Sequence, residues 1–431
     1  MLALLKRRSY RVILTANFIS MIGSGMNHAA IIWYVLEQTG SEKMVALLVS
    51  VITLPSLFFL PFSGVLIDRL DRRYTSMTLD VVRGVAVAAV ALLALAGRVH
   101  IWHIYAMGVV LGLGAFMYWS NLAALTQEFV EHGDVVPLNA LVMGGAHSGW
   151  ALAGGVVGFL YQQFGLGGVL ALDAASYAIS TILMFTLRSG KHLVHHEGIP
   201  GATVTDASFS LQVFNRDFLG GIRYAFTHRR VLLLGLVSSL FTAGMMSQQV
   251  LTAPLNMKIL KTGAVGFGYC NAGWSLGAIL LSAYAGTSLR QGGKILTVLW
   301  MSLLLGGVAC VASPFSGFLA VAVFCYFVMG AGRGIGGIGV SSELMREVPK
   351  PLMGRTQNVF TFAGIALQLV LTMGVGWLSE RLSLVSGFYL VGCSYFAAGI
   401  LAWMVTRIPA PPEIPPEEEE AVFTHAEPAE L

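Results

Sequence analysis

The stretch Gly64–Arg73, with the sequence GVLIDRLDRR, decides the architecture of this chain. It places five charged residues in a short link between two apolar segments, each long enough to cross a membrane. Charged side chains are costly in the hydrocarbon core of a bilayer, so the link must lie at a membrane face. The stretch therefore predicts a hairpin of two membrane-spanning helices joined outside the lipid.

The composition extends this interpretation to the whole chain. Of 431 residues, 56% are hydrophobic and 11% are charged, whereas a soluble domain carries about 25% charged residues. Apolar segments of membrane length recur from one end to the other, so we expect an all-α polytopic membrane protein. The predicted spans are 12–36, 43–67, 75–97, 101–126, 138–160, 166–187, 231–254, 264–286, 294–313, 317–342, 356–379 and 385–406.

The distribution of Lys and Arg predicts the orientation of the chain in the membrane. Twelve spans place both termini on one side, and most of the basic residues of the links fall on that side. The other side holds only Lys43, Arg98, Lys258, Lys261 and Arg381. By the positive-inside rule both termini are predicted to be cytoplasmic, in a multi-pass protein of the inner (plasma) membrane.

The longest interior link divides the chain into two groups of six spans. We predict a first bundle at 1–187, a cytoplasmic linker with an amphipathic helix at 188–230, and a second bundle at 231–407. Residues 408–431 contain the run Glu417–Glu420 and have the composition of a disordered acidic tail. Short similar segments six spans apart indicate that the two bundles are pseudo-symmetric.

Several function classes lack support in the sequence. There is no Walker loop, no HExxH motif and no Rossmann fingerprint after a strand, so we predict neither an enzyme nor a cofactor. The cysteines lie inside apolar spans and His192, His195 and His196 lie in a polar link, so no disulfide or metal site is expected. The basic residues lie where topology needs them, which argues against nucleic acid as a partner. We expect a monomer whose partners are the lipid bilayer and a small-molecule substrate.

The spacing of the opening stretch, G-x-L-x-D-R-x-x-R-R, resembles the signature loop of the major facilitator superfamily of secondary transporters. Leu79–Gly84, Leu172–Tyr177 and Gly220–Tyr224 resemble the branch of that superfamily that contains enterobactin and macrolide exporters. The resemblance covers the whole chain. It implies two six-helix bundles that alternate access to a midplane site and export an amphiphilic compound, drug-like or siderophore-like. Proton coupling is a hypothesis.

The resemblance also implies a conformational latch at the cytoplasmic face. Gly64 permits close helix approach, Asp68 can face a helix N-terminus, and basic residues can pair with acids at nearby helix ends. The alternative is a topology anchor alone. Asp80 and Arg83, one helical turn apart, are expected to pair with each other and with the latch. The residues of the predicted latch are Gly64, Asp68, Arg69, Arg72, Arg73 and Glu128.

Another family element, the antiporter motif of the fifth span, is altered here. Gly145–Gly154 keeps part of the glycine frame, but Trp150 stands where the motif has proline. The fourth span carries Asn121 and aromatic residues rather than the arginine of many proton antiporters. Both departures weigh against proton antiport.

Polar residues within the spans are candidates for a substrate cavity. Asn17, Ser20, Ser24 and His28 fall on one face of the first helix, with polar packing between helices as the alternative. Arg333, deep in the tenth span, requires a substrate group, a carboxylate or helix C-terminal carbonyls as its partner. The predicted cavity residues are Asn17, Ser20, Ser24, His28, Trp150, Gln248, Asn271, Arg333 and Gln368. The candidates for proton coupling are His28, His147 and Asp173, the last of which could instead cap a helix.

Two further functions remain open at this stage. One is an importer or facilitator of a small metabolite or lipid. The other is a sensor or scaffold that keeps the transporter fold without transporting.

Overall fold

The computed structural model describes residues 7–69, 71–129, 135–187, 211–288 and 295–409. These residues form long helices with short connections and, within the described ranges, no strand. The helices are α1 (Arg8–Thr39), α2 (Glu42–Arg69), α3 (Arg72–Leu95), α4 (Ile101–Phe129), α5 (Val135–Phe185), α6 (Leu211–Thr227), α7 (Arg229–Pro254), α8 (Gly263–Ser288), α9 (Ile295–Ala312), α10 (Leu319–Glu347), α11 (Lys350–Arg381) and α12 (Leu384–Thr406).

The long helix α5 is two membrane crossings joined by a sharp break. Gly165 has φ of 61° and ψ of −170°, a conformation that essentially only glycine adopts. We call 135–164 the first arm of α5 and 166–185 its second arm. Eleven of the described helices are long and apolar enough to span a bilayer, α5 among them. Counting its two arms gives the twelve predicted spans and confirms the all-α polytopic fold.

The helices pack as two groups. We call α1–α5 the first half and α7–α12 the second half; between them the main crossings are α5 with α8 and α2 with α11. Successive spans alternate in direction, so the ends of α1, α3 and α7 at which the chain enters lie at one face. We call this the terminal face, and the side where α1 joins α2 the opposite face.

Glycines let the helices approach closely where lipid offers no hydrophobic drive for association. A Cβ at Gly330 would lie 1.8 Å from the Trp274 carbonyl oxygen, and one at Gly334 would lie 2.4 Å from that of Ala278. The glycine-rich run 332–337, which lies inside α10, therefore serves helix packing: Gly334 meets α8, Gly332 meets α9 and Gly336 meets Phe241 of α7.

Within the predicted linker a helix is present, α6, ahead of the second half. The ring of Phe218 meets that of Phe362 edge-on at 5.5 Å, and Gly221 lies against the backbone of Arg355. α6 is thus attached to α11. The polar part of the linker, 188–210, and nearly all of the acidic tail, 410–431, lie outside the described residues.

Candidate functional site

The first half encloses a cavity of about 100 Å³ within its own helices. α1 contributes Ser24, Asn27 and His28 to its wall, and α3 contributes Arg83. The remaining lining is apolar or aromatic, with aromatic side chains from α4 and from both arms of α5: Tyr118, Trp119, Trp150 and Tyr177. A mainly apolar wall with a few fixed polar groups is typical of a small-molecule site.

Beside this cavity, Arg83 and Asp80 form a buried ion pair. Arg83 Nη2 donates to Asp80 Oδ1 at 2.5 Å, and Ser180 Oγ donates to Asp80 Oδ2 at 2.6 Å. The guanidinium carbon lies 4.6 Å from the ring centres of both Tyr118 and Tyr177. Buried charges require such compensation, and the predicted pairing of Asp80 with Arg83 is confirmed.

Asp173 lies fully buried on the second arm of α5, facing α1. Asn27 Nδ2 donates to its Oδ2 at 2.6 Å, and Ser176 Oγ lies 3.3 Å from its Oδ1. A Cβ at Gly23 would lie 2.4 Å from Asp173 Oδ1, so only glycine fits at this helix crossing. The carboxyl group therefore joins α1 to α5, with a side-chain amide and a hydroxyl as its donors.

The polar row predicted on α1 divides between two environments. Asn17 and Ser20 are fully buried, and Asn17 Nδ2 donates to the Val142 carbonyl oxygen at 3.1 Å. Ser24 and His28 line the cavity. The terminal-face part of the row is thus helix packing, and the inner part faces the site.

His28 connects the two halves. Its Nε2 hydrogen-bonds Gln249 Oε1 of α7, and its ring lies 5.5 Å from the centre of the Trp150 ring. The neighbouring amide, Gln248, is buried in the second half and accepts from the Tyr395 hydroxyl at 3.3 Å. Consecutive helical residues point about 100° apart, so Gln249 faces the interface and Gln248 does not.

Two other predicted cavity residues lie where the halves touch. Gln368 Nε2 of α11 donates to Thr53 Oγ1 of α2 at 3.0 Å, across the interface. Asn271 Nδ2 donates to the Phe267 carbonyl oxygen of its own helix, while its Cβ approaches Gly154 on α5. Both residues therefore stand at the contact between halves rather than in the first-half cavity.

Among the described residues, most polar contacts between the halves lie at the opposite face. Lys258 Nζ, beyond α7, lies 2.7 Å from Glu42 Oε1 and 2.9 Å from the Gly40 carbonyl oxygen. Ser41 Oγ donates to Glu380 Oε2 at 3.2 Å. These contacts join the α1–α2 connection to the ends of α7 and α11.

Close helix contacts reinforce the same end of the interface. A Cβ at Gly158 would lie 2.2 Å from the Ala264 carbonyl oxygen, where α5 crosses α8. One at Gly376 would lie 2.4 Å from the Ala46 Cβ, where α11 crosses α2. In the described residues, the two halves are thus in close contact near the opposite face.

Arg333 of α10 has no hydrogen-bond or ion-pair partner within the described ranges of the chain, and its side chain is only partly exposed. It interacts electrostatically with His147 of the first arm of α5, and with Tyr395 of its own half. An uncompensated cation inside a membrane span is costly and marks a functional position by default.

In the signature stretch, Asp71 and Arg73 make contacts within the first half. The Asp71 side chain accepts from the backbone N–H groups of Arg73 and Tyr74, which caps α3. The Arg73 guanidinium donates to the carbonyl oxygens of Met184 and Phe185 at 3.1 Å and 2.6 Å. These carbonyls end the second arm of α5, where a cation is favoured by the helix dipole.

The remaining predicted latch residues are described only in part. The Arg72 carbonyl oxygen accepts from Asn121 Nδ2 at 2.7 Å. The side chains of Asp68, Arg69 and Glu128, and the surroundings of Gly64, lie outside the described residues.

The second half has its own cluster at the terminal face, which the sequence analysis did not anticipate. Arg230, at the start of α7, pairs with Glu347 and lies 3.3 Å from Glu343, both at the end of α10. Its Nη1 donates to the Ile408 carbonyl oxygen beyond α12 at 2.6 Å. One arginine thus joins three helix ends.

Asn27 and Tyr118 are the main wall residues that the sequence analysis missed. Asn27 lies seven residues after Ser20 and three after Ser24. This spacing places the three residues on one helix face, just as the predicted row Asn17, Ser20, Ser24 and His28 does. That spacing could have identified Asn27. Tyr118 carries no comparable signal because α4 is apolar and aromatic around much of its circumference.

The sequence of this chain is similar to a family of known transporters along most of its length. The family model for the Major Facilitator Superfamily matches residues 13–371. Macrolide efflux protein A of Streptococcus pyogenes is 22% identical over 404 residues, which cover 90% of this chain and 94% of that protein. Multidrug efflux pump Tap of Mycolicibacterium fortuitum is 22% identical over 411 residues, covering 94% and 97%.

Solved structures share the fold at low sequence identity. The nucleoside transporter NupG has a TM-score of 0.69 at 12% identity, covering 93% of this chain and 99% of that one. A POT family transporter in complex with a thioalcohol-conjugated peptide has a TM-score of 0.70 at 13% identity, covering 93% and 96%. At such identities the likeness concerns the fold alone.

Proposed function

We propose that this chain, which belongs to the major facilitator superfamily, is a secondary transporter that exports amphiphilic small molecules. The sequence relatives support export, because a macrolide efflux protein and a multidrug efflux pump align with the chain along nearly its full length. The first-half cavity supports an amphiphilic substrate, because aromatic side chains and a few polar groups share its wall.

The observation that carries the proposal is the uneven distribution of polar contacts between the halves among the residues that the structure describes. Lys258 with Glu42, Ser41 with Glu380 and Thr53 with Gln368 all lie toward the opposite face. When two halves are closed at one face, the site between them is accessible from the other face. Rocking of the halves exchanges the closed and the open face. The structure therefore corresponds, in this proposal, to the state closed at the opposite face.

The direction of export follows from the orientation. The positive-inside rule places the terminal face, which carries most of the basic residues, in the cytoplasm. The state closed at the opposite face would then load substrate from the cytoplasm or the inner leaflet of the plasma membrane. Rocking to the alternative state would release it outside.

Proton coupling is proposed through groups that connect helices. Asp173 joins α1 to α5 inside the first half, and His28 joins α1 to α7 across the interface. His147 lies within electrostatic reach of the uncompensated Arg333. Gain or loss of a proton at His28 changes a contact between the halves, which alters when they rock, and at Asp173 it changes the packing of α1 on α5 within the first half; coupling requires that such a change favours one of the two states.

The experiment is flux into inverted membrane vesicles that hold the protein, with a macrolide as substrate and an imposed proton gradient. Export predicts protein-dependent uptake into these vesicles, driven by the gradient and strongly reduced in Asp173→Asn. Uptake that ignores the gradient would refute proton coupling. Flux only in the reverse direction would identify an importer, and absence of flux with a correctly folded protein would favour a sensor or scaffold.

A further inference from the structure

One face of α5 is covered by the second half near the opposite face and uncovered in the middle of the span. Gly154 and Gly158 meet α8 on this face, and a Cβ at Gly154 would lie 3.0 Å from the Asn271 Cβ. His147 lies seven residues before Gly154, and therefore on the same helix face, yet its side chain is exposed. A Cβ at Gly144, one turn earlier, would meet no atom of the described residues within 4 Å.

One face of α10 shows the same change along its length. Tyr326, on the side of the opposite face, is 2% exposed and donates to Thr252 Oγ1 of α7 at 3.0 Å. Arg333 follows seven residues later on the same face and is partly exposed, and Gly337, a turn further toward the terminal face, is exposed. Among the described residues, a Cβ at Gly337 would meet only Arg333 Nη1, at 3.8 Å. The guanidinium therefore lies along the uncovered face of α10.

We call the space between these two uncovered faces the central cleft, and it has a basic group on each side. Arg333 of the second half interacts electrostatically with His147 of the first half. Within the described ranges of the chain, neither side chain has a hydrogen-bond partner. Two groups that can each carry positive charge repel one another when no anion lies between them. The central cleft therefore favours a negative group at this point.

The first half supplies no such group from the carboxylates that lie deep in its described spans. Asp80 is fully buried and pairs with Arg83, and Asp173 is fully buried and accepts from a side-chain amide of α1. In the second half, the two glutamates at the end of α10 pair with Arg230 at the terminal face. An anion that reaches Arg333 is thus expected to come from outside the described protein.

An apolar surface lies beside the two basic groups. Trp150 follows His147 by one turn of α5 and is partly exposed, and its ring lies 5.5 Å from that of His28. His28 in turn bonds Gln249 of α7, and Met246, one turn before Gln249, is partly exposed. A ligand bound at the basic groups can therefore pack an apolar part against side chains of both halves.

We propose that Arg333 and His147 form an anion-binding site between the halves, which binds the carboxylate or other anionic head group of an exported amphiphile. The planar guanidinium donates to two oxygens of the head group, a geometry that matches carboxylate and phosphate. His147 donates a hydrogen bond to the same group from the other half, and the apolar part packs against Trp150. The proposal rests on the proposed export function and names acidic amphiphiles as a substrate class.

A ligand held in this way has a consequence for the transport cycle. Arg333 and His147 belong to different halves and lie where the halves are apart, so an anion that contacts both stabilises the state in which they are closer. By differential affinity, the bound anion favours closure toward the terminal face.

The test measures binding to the purified full chain in dodecyl maltoside micelles, near neutral pH, by isothermal titration calorimetry. The matched probes are 2-naphthoate, an amphiphilic carboxylate, and 2-naphthamide, which has the same rings without the charge. We expect naphthoate to bind at least about tenfold more tightly, the usual effect of hydrogen bonds to a charged group. The amide partitions more readily into micelles, so nonspecific uptake works against this preference.

Inorganic phosphate is the third probe and distinguishes an amphiphile from a free anion. Phosphate offers the same oxygens without an apolar part, so it should bind at least about tenfold more weakly than naphthoate. Phosphate binding as tight as that of naphthoate would overturn the assignment to an amphiphile.

Two variants test the site itself, and a third is the matched control. Arg333→Gln should abolish the preference for naphthoate without lowering the melting temperature. His147→Glu places a carboxylate opposite Arg333, so it should also abolish the preference, and the melting temperature should stay constant or rise. Arg381→Gln removes the same charge from the exposed end of α11 at the opposite face and should keep the preference.

Three results would overturn the anion site. They are equal binding of naphthoate and naphthamide, a preference that survives either Arg333→Gln or His147→Glu, and a preference that Arg381→Gln also abolishes. The binding test and the flux experiment fail independently. A naphthoate preference in a protein that shows no flux leaves the anion site standing and removes the export function. Gradient-driven macrolide uptake by a protein without the preference does the reverse.

Discussion

The two halves of this protein differ in how they hold an arginine inside a membrane span. In the first half, Asp80 and Arg83 are fully buried and neutralise each other, with aromatic rings on the guanidinium. In the second half, Arg333 lies in a span with no counter-ion among the described residues. Charges inside a membrane span are costly in both cases, yet Arg83 is compensated there and Arg333 is not.

This difference indicates a division of roles. A compensated pair fixes helix positions and belongs to the stability of its half. An uncompensated cation stabilises nothing on its own, so its retention is best explained by an anionic group that arrives with the substrate or with a changed conformation. The comparison predicts opposite consequences when each charge is removed.

The largest effect is expected on removing one member of the compensated pair. Asp80→Leu leaves the Arg83 guanidinium buried without its carboxylate, which should cost about 3 to 5 kcal/mol. Thermal unfolding of the purified protein would show a large drop in melting temperature. The double variant Asp80→Leu/Arg83→Leu should recover much of the loss, and a single variant as stable as the parent protein would break the comparison.

The interface between the halves should respond to crowding at its closed end. Gly158→Val places side-chain atoms against the Ala264 carbonyl, an overpacking that costs about 1 to 3 kcal/mol and favours separation of the halves there. Gly155→Val is the matched control, since a Cβ there meets only the Ala272 side chain at 3.9 Å. The rate at which a thiol reagent labels a cysteine introduced at the opposite face should rise in Gly158→Val and stay constant in Gly155→Val.

The ion pair that crosses the interface should contribute less. Lys258 is 41% exposed, so its attraction to Glu42 is screened by solvent and is worth less than about 1 kcal/mol. Lys258→Met should therefore increase opening at the opposite face slightly, and the increase should vanish in high salt. An effect as large as that of Gly158→Val would contradict this ranking.

The smallest stability effect is expected at the uncompensated charge. Arg333→Gln removes a cation that has no partner in the described residues, so the melting temperature should stay constant or rise. Flux should nevertheless fall at least about tenfold, the effect of losing one charged contact worth about 1.4 kcal/mol. A large drop in melting temperature with unchanged flux would show that Arg333 stabilises the protein, as Asp80 and Arg83 do, and would contradict the difference drawn between the halves.

Much of the fold was predictable from the sequence because membrane spans are recognisable by their length and apolar composition. The break at Gly165 separates the fifth and sixth spans where the apolar pattern divides, and Asp80 lies one turn from its partner. Arg73 was predicted to pair with an acid, whereas it bonds the main-chain carbonyls at the end of α5. Carbonyls at a helix end leave no trace in the residue types, so sequence alone could not supply this partner.

The site itself was less predictable because the sequence gives little information on which side of a buried helix faces the cavity. α1 is buried on nearly all sides, so polarity does not distinguish a face that lines a cavity from one that packs on α5. Asn17 and Ser20 were assigned to the cavity on a periodicity that also fits packing. The predicted cavity includes Gln248, whereas Gln249 is the residue that faces the interface, because one residue along a helix rotates the side chain by about 100°.

The central claim, that the halves rock between a state closed at the opposite face and one open there, is tested by distances between paired spin labels. Exposed Gln38 and Arg381 report on the opposite face, and Tyr74 and Arg346 report on the terminal face, after the exposed Cys393 is replaced by serine. The account predicts that a macrolide, or the Gly158→Val substitution, lengthens the first distance while shortening the second. Distances that remain single and unchanged at both faces would contradict it.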